Sequence, residues 1–428
     1  MFHKEIICAL SGGGFRATFF HAGVLRTLVR LGLKDRIKVV SSVSGGSITN
    51  ALFGITFDDI GSVEDFDRLV LDPLVAFSRR DPRNVLLRYR ALNLWNQVIA
   101  GVGSLFGTFG KPLALFASRA NSQLFMEQLD VILFEHKTLA DLSKNVRIVL
   151  NATNLNNGKR FRFDNEDFGD YSIGYSYEIN HLPLAQAVTA SACFPGLFSP
   201  ITMDLRGYKF FKRDSQKRDA DSPSASPDLV CLSDGGIFDN LGYFSLVSEI
   251  KRGRDAFVLI SDAANRFQTN NEEYRFFGAL PRIKDVLMEQ VSNRDRQTIM
   301  GRLLDESDKE WLGLYFKMEN SCRWFRESLP GKGAPVSELP VFGWSDSTLS
   351  RIAQIRTDLN EFSDAEVQAL VYHGETATET NFARWHNDAY KSITSDPSYR
   401  PPVPPECHEK DIFEGLADSH KRIKRKLM

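Results

Sequence analysis

The sequence predicts an α/β fold, a three-layer α/β/α sandwich around a mainly parallel central sheet. Three observations carry that expectation. Short apolar runs of strand character alternate with helical patterns along the 428 residues. Two glycine-rich turns each stand between a strand-like run and the start of a helix-like one. A third run ends in Ser233-Asp234-Gly235-Gly236, which puts a carboxylate at the tip of a strand.

The first strand covers 5–10, with the apolar run Ile6-Ile7-Cys8-Ala9-Leu10, and opens into Ser11-Gly12-Gly13-Gly14-Phe15-Arg16-Ala17 before an amphipathic stretch at 19–31. Consecutive glycines permit a turn that other residues resist, and a helix start leaves its first N–H groups unpaired. Such a turn presents several amide donors to an anion. The second strand, 37–43, runs into Ser44-Gly45-Gly46-Ser47. Strand, serine, glycines and helix make the layout of a nucleophile elbow, in which a strained turn lifts one hydroxyl above the sheet. Ser44 is the candidate nucleophile, and the place of the usual first glycine is taken by Ser42, small enough for the same close approach. A third strand is expected at 146–151.

The run at 229–232 reads as a buried strand. Asp234 would sit at the carboxyl end of a parallel strand, where open α/β sheets gather their functional groups. Asp-Gly is also an ordinary turn signal, so this element gains weight only beside the other two. The last strand, 256–261, ends at Asp262, which we read as structural because nothing pairs it with a nucleophile.

Gly12, Ser44 and Asp234 must converge, so one folding unit is expected over 1–375, with a helical insertion and possible lid at 57–137 and a C-terminal extension with a basic tail at 376–428. A content of 43% hydrophobic residues suffices for a large core. The net charge of −1 provides no global field toward nucleic acid or an anionic surface, so no nucleic-acid partner is expected and membrane attraction must be local. Five cysteines without C-x-x-C spacing fit a reduced, cytoplasmic setting. Met1-Phe2-His3-Lys4-Glu5 leads directly into the first strand, so a standard secretion signal is not expected. Two tracts look loop-like, 212–228 and 397–405. The stretch 85–109 carries apolar residues in steps of three and four, and 91–110 has no charge. Its glycines and side-chain amides argue against a membrane span, leaving a core-covering helix or an interfacial lid over Ser44. The run 420–426 is basic, either a solvated tail or a contact for an anionic leaflet.

Ser11 to Ala17, Ser44 with its glycines, and Asp234-Gly235-Gly236 resemble the three signatures of patatin-like phospholipases, in that order. The first is closer to the cytosolic phospholipase branch, because serine precedes the glycines and Arg16 follows them; the third has the patatin form. The stretch 188–198 is similar to the family's small-residue segment ending in a proline turn, and 151–155 and 355–363 resemble further shared segments. The likeness runs from residue 4 to about 375, leaving 57–137 unmatched.

This resemblance implies a lipid acyl hydrolase with a Ser-Asp dyad, in which Asp234 takes the proton of Ser44 directly and an acyl-serine intermediate forms. It implies an oxyanion hole from the amides of Gly12, Gly13 and Gly14, a phospholipid or other lipid ester as substrate, peripheral membrane contact, and no cofactor or metal. A carboxylate of ordinary pKa is a poor base for a hydroxyl, so the dyad requires a desolvated Asp234 or strong oxyanion stabilisation. Arg16 has two readings, contact with a substrate phosphate or bracing of the glycine loop. His21 is read as a helix-face residue rather than a catalytic one. A transacylase and a catalytically silent lipid-binding relative share these motifs. A serine peptidase or general esterase would need a histidine base. A nucleotide-cradling loop is disfavoured, because the first turn has neither a G-K-[ST] ending nor G-x-G-x-x-G spacing.

Overall fold

A computed structural model describes residues 3–86, 121–195, 198–212, 222–224, 226–264, 276–304, 312–327, 333–406 and 408–420. The strands among them are β1 (Glu5–Leu10), β2 (Ile37–Val43), β3 (Arg147–Asn154), β4 (Lys159–Asp164), β5 (Phe168–Asp170), β6 (Gly174–Ser176), β7 (Ile201–Asp204), β8 (Phe210–Lys212), β9 (Ser222–Ser224), β10 (Leu229–Asp234), β11 (Ala256–Asp262) and β12 (Leu312–Lys317). The helices that bear on the site are α1 (Gly14–Arg30), α2 (Gly45–Thr56), α3 (Leu184–Ala192), α4 (Phe244–Lys251), α5 (Phe276–Leu304) and α6 (Asp364–Trp385).

Every residue from Ile6 to Leu10 of β1 is buried, so both faces of the sheet must be covered. Strand alternation sends Ile6, Cys8 and Leu10 into the larger core with residues of α1, α2 and α6. Ile7 and Ala9 go into a smaller one with Leu246 and Ile250 of α4 and Ile299 of α5. The result is helices on both faces of a mixed sheet. Five parallel strands, in the order β12-β11-β1-β2-β3, form the half that carries the glycine turns. Antiparallel strands β4, β5, β6, β8 and β9 continue it beyond β3.

One strand departs from its expected direction. β10 runs antiparallel to β3, not parallel. A parallel neighbour requires a crossover connection, whereas β10 pairs on its other edge with the antiparallel strand β7. The register has a direct consequence. Val43 at the end of β2 lies opposite Asn151, and Asp234 at the end of β10 lies opposite the next residue of β3, Ala152. The two strands therefore meet tip to tip along one side of β3.

Within the expected insertion, the described residues are largely helical and pack into the larger core through Phe66, Val70, Phe77, Phe125 and Phe134. Residues 87–109 of the periodic stretch, all of the uncharged 91–110, and 421–426 of the basic run lie outside the described residues. The boundary expected at 375 falls inside α6, whose backbone continues across it. No described helix is long and apolar enough to cross a membrane.

α6 packs directly on α1. A Cβ at Gly23 would lie 2.1 Å from the Val371 carbonyl oxygen, and one at Gly374 would lie 2.1 Å from that of Phe20. Ion pairs from Arg26 to Glu375 at 2.7 Å and from Arg30 to Glu379 at 2.6 Å line the same contact. Because backbone faces backbone here, the smallest side chain must separate the helices. Gly374→Ala is expected to destabilise the fold by about 1–3 kcal/mol, read as a lower midpoint in guanidinium unfolding.

Candidate active site

The turn after β2 places Ser44 at φ 52° and ψ −125°, a backbone conformation that side-chain-bearing residues rarely adopt. Only glycine fits behind it. A Cβ on Gly45 would lie 2.0 Å from the Gly14 carbonyl oxygen, and one on Gly46 would lie 2.7 Å from that of Ser11. The strained turn is held from the end of α3. Ser191 Oγ accepts from the Ser44 amide at 3.0 Å, donates to the Asn151 carbonyl at 2.7 Å, and lies 2.8 Å from Ser47 Oγ.

The same segment fixes the other strand tip. Gly235 N donates to the Ser191 carbonyl at 3.2 Å and Asp234 N to the Cys193 carbonyl at 3.2 Å. Ser233 Oγ donates to Cys193 O at 3.0 Å. Ser191 thus touches both loops that carry the candidate dyad. Sequence reading gave it no role, because a serine in a run of small residues has no chemical signature of its own.

Asp234 is buried, and its Oδ1 accepts from Gly236 N at 2.7 Å. Oδ2 is buried without a hydrogen bond of ordinary geometry. Burial pushes the carboxyl up to about 6, against the weaker opposing pull of the Gly236 amide and the neighbouring Ser44 hydroxyl. The desolvation that a carboxylate base requires is therefore present.

In the glycine turn, Gly13 and Gly14 have φ 145° and 57°. Their missing side chains face the carbonyl oxygens of Ala263 and Asp358, at 3.0 and 2.6 Å from ideal Cβ positions. Phe15 N donates to that Asp358 carbonyl at 2.9 Å. The amides of Gly13 and Gly14 make no hydrogen bond to described residues, and both stand at the positive end of α1. The expectation for Gly12 needs correcting. Its amide donates to the Asn240 carbonyl at 3.0 Å, so it is not a spare donor. Gly12 instead allows close approach, since a Cβ there would lie 3.1 Å from Ser44 Cβ and 2.6 Å from Asn240 Oδ1.

Gly12, Gly13, Gly14, Ser44 and Asp234 all line one cavity of about 580 Å³. Ala192, Phe194, Phe198, Met288 and Leu359 supply apolar wall, and Asn240, Arg83, Arg282, Asp285, Glu289 and Asp358 supply polar wall. Neither Asn240 nor Arg83 was singled out from sequence, the first because a loop asparagine is common, the second because its surroundings match no pattern.

Arg16 does not line this cavity. Its fully buried guanidinium donates to the carbonyl oxygens of Ala263 at 2.7 Å, Ile355 at 3.2 Å and Ala353 at 3.4 Å, and burial pushes its pKa down to about 10. It ties α1 to the chain after β11 and to the 353–355 segment. His21 also points away from the cavity, with Nδ1 3.1 Å from Ser261 Oγ and Nε2 3.0 Å from Ser11 O, and burial lowers its pKa to about 4. No described histidine lines the cavity. Asp262 pairs with Arg296 at 2.9 Å and accepts from Tyr315 OH at 2.9 Å. Burial alone would raise it, but these partners hold it below the ordinary carboxylate value. The one carboxylate cluster with metal-ligand spacing among the described residues, Asp164, Glu166 and Asp167, is met by Arg147 at 2.6 Å and Arg162 at 2.7 Å.

The raised pKa of Asp234 has a stability sign. The folded state holds this proton more tightly than the unfolded chain, so stability falls as pH rises from about 4 to 6, and the loss is complete above that window. Asp234→Asn removes the cost, about 3 kcal/mol at full effect. The variant is expected to unfold at higher denaturant than the parent at pH 8, with the gap closing toward pH 4.

Among solved structures, the chain is similar to human GIVD cytosolic phospholipase A2, with 14% identity and a TM-score of 0.48, over 93% of this chain and 61% of that one. A second structure of that human protein, in complex with methyl gamma-linolenyl fluorophosphonate, gives 15% identity and a TM-score of 0.46, over 92% and 59%. VipD from Legionella pneumophila gives 14% identity and a TM-score of 0.35, over 97% and 74%. The chain thus spans about three fifths of the human phospholipase. No curated protein matches the sequence. The family model described as patatin-like phospholipase matches residues 8–247, a stretch that holds the glycine turn, the elbow and the Asp-Gly-Gly tip, and the chain belongs to that family.

Proposed function

We propose that the chain is a lipid acyl hydrolase that cleaves carboxylic esters through Ser44 and Asp234. One observation supports this above the rest: the strained Ser44 turn shares a cavity with a buried carboxyl raised to about 6 and with two uncommitted amides.

In the reaction, Asp234 accepts the Ser44 proton as Oγ attacks the ester carbonyl. The carbonyl oxygen becomes an alkoxide and takes hydrogen bonds from Gly13 N and Gly14 N, with the positive end of α1 behind them. One such donor is worth about 2.7–4 kcal/mol where its removal has been measured in another hydrolase. Collapse of the tetrahedral species breaks the C–O bond, and Asp234 returns the proton to the departing alcohol. Water then attacks acyl-Ser44 with Asp234 as base again, and the acyl–Oγ bond breaks as Asp234 returns the proton to Ser44 Oγ, freeing the fatty acid. A pKa near 6 suits both halves, since the group is ionised at neutral pH yet basic enough to take the proton. The apolar wall of Ala192, Phe194, Phe198, Met288 and Leu359 suits an acyl chain.

The substrate is met at a membrane surface by a peripheral protein. Arg282, Asp285, Met288 and Glu289 of α5 line the cavity. Elsewhere on the same helix Ile283, Val286 and Leu287 are exposed at 51%, 38% and 61%. Apolar side chains left in water on a helix that walls the site support docking against lipid.

A lipid-like fluorophosphonate is expected to label the protein covalently at Ser44, with labelling lost in Ser44→Ala. Lipid mass spectrometry on membrane extract should show released fatty acid, and a lysolipid or glycerol acceptor that diverts the acyl group into ester would identify a transacylase instead. Asp234→Asn is expected to lower kcat by about 10²–10⁴-fold; unchanged turnover would remove Asp234 as the base. The kcat/KM of the parent should fall tenfold per pH unit below about 6, as the carboxyl becomes protonated.

A further inference from the structure

Arg16 directs Nη1 and Nη2 to backbone carbonyls and lies outside the cavity, so recognition of any anionic part of a substrate falls to a cation that lines it. Arg83 lines the cavity although it is only 7% exposed. Its Nη1 lies 2.7 Å from Asp358 Oδ2, and its guanidinium makes no other polar contact with a described residue. The position of that guanidinium is fixed relative to the glycine turn. Arg83 N donates to the Leu359 carbonyl at 3.1 Å, and the Asp358 carbonyl accepts from Phe15 N at 2.9 Å. The Asp358 backbone also fills the space where Gly14 lacks a side chain.

We propose that Arg83 is a specificity-determining residue, holding the phosphate of a phospholipid headgroup while the ester lies against Gly13 and Gly14. This rests on the hydrolase reading and deepens it. The geometry of the side chain carries the assignment. One edge of the planar fork faces Asp358, and the remaining N–H groups match two phosphate oxygens. Asp358 keeps the fork in place without consuming it. Among the cavity's other carboxylates, Glu289 is paired with Arg296 at 3.0 Å. An ester without a phosphate leaves the Arg83 donors unmatched in a buried place, which disfavours neutral glycerides.

The test is binding to protein carrying Ser44→Ala, so that turnover plays no part. Octylphosphocholine is compared with 1-O-octylglycerol, both below their micelle concentrations, by isothermal titration. Adding Arg83→Gln is expected to weaken octylphosphocholine about 10-fold or more relative to octylglycerol, and Arg83→Lys to fall between the two. An equal loss for both ligands makes Arg83 a brace for Asp358 and overturns the proposal, as does no loss for octylphosphocholine in either variant. Fluorophosphonate labelling of the parent protein reports on the hydrolase reading separately. Labelling together with an unchanged affinity ratio would leave the hydrolase standing and remove the headgroup site.

Discussion

The site depends on two strand ends being driven together. β2 and β10 reach consecutive positions on β3 from opposite directions, and neither continues past the other. Where they meet, the chain must turn away at once, which forces the positive-φ residue at Ser44 and the glycine pair after Asp234. Each tip also leaves backbone groups that the sheet no longer satisfies. The end of α3 supplies the missing partners, with Ser191 bonding to both tips and Cys193 to that of β10. A buried polar bridge of this sort is stable only when all its members are satisfied, and here it also fixes the spacing between a hydroxyl and a carboxyl.

The same arrangement keeps Asp234 uncomfortable. No described cation pairs with it, one oxygen has a single amide partner, and the other has none of ordinary geometry. Several buried carboxylates elsewhere are treated differently: Asp262, Asp164 and Glu375 each meet an arginine. The contrast separates these ion-paired carboxylates, which hold the structure together, from Asp234, a buried carboxyl that shares its cavity with Ser44.

Much of this was legible in the sequence, for identifiable reasons. Glycine runs between strand and helix have few physical explanations, so both turns and Ser44 stood out, and Asp234 followed from its strand tip. The direction of β10 was not legible, because an apolar run of four residues looks the same whichever way it points. The engagement of the Gly12 amide depends on Asn240, more than two hundred residues away, and no local pattern announces it. Arg16 looked available because it follows the glycines, yet the first turn of α1 rotates it into the interior toward Ala263 and Ile355. Arg83 lies in the one long stretch where the motifs fall silent, and only its return to Asp358 gives it meaning.

The donors assigned to the developing negative charge belong to the main chain at Gly13 and Gly14. Every substitution except one to proline leaves the peptide N–H in place, so a scan to alanine or other ordinary residues would register the crowding around these glycines and miss their electrostatic part. Evolution faces the same asymmetry. The proposed nucleophile and base can each be lost by one codon change, whereas the proposed anion cradle persists as long as the turn itself folds, which would let a descendant without hydrolytic power retain a pocket that still grips an oxyanion.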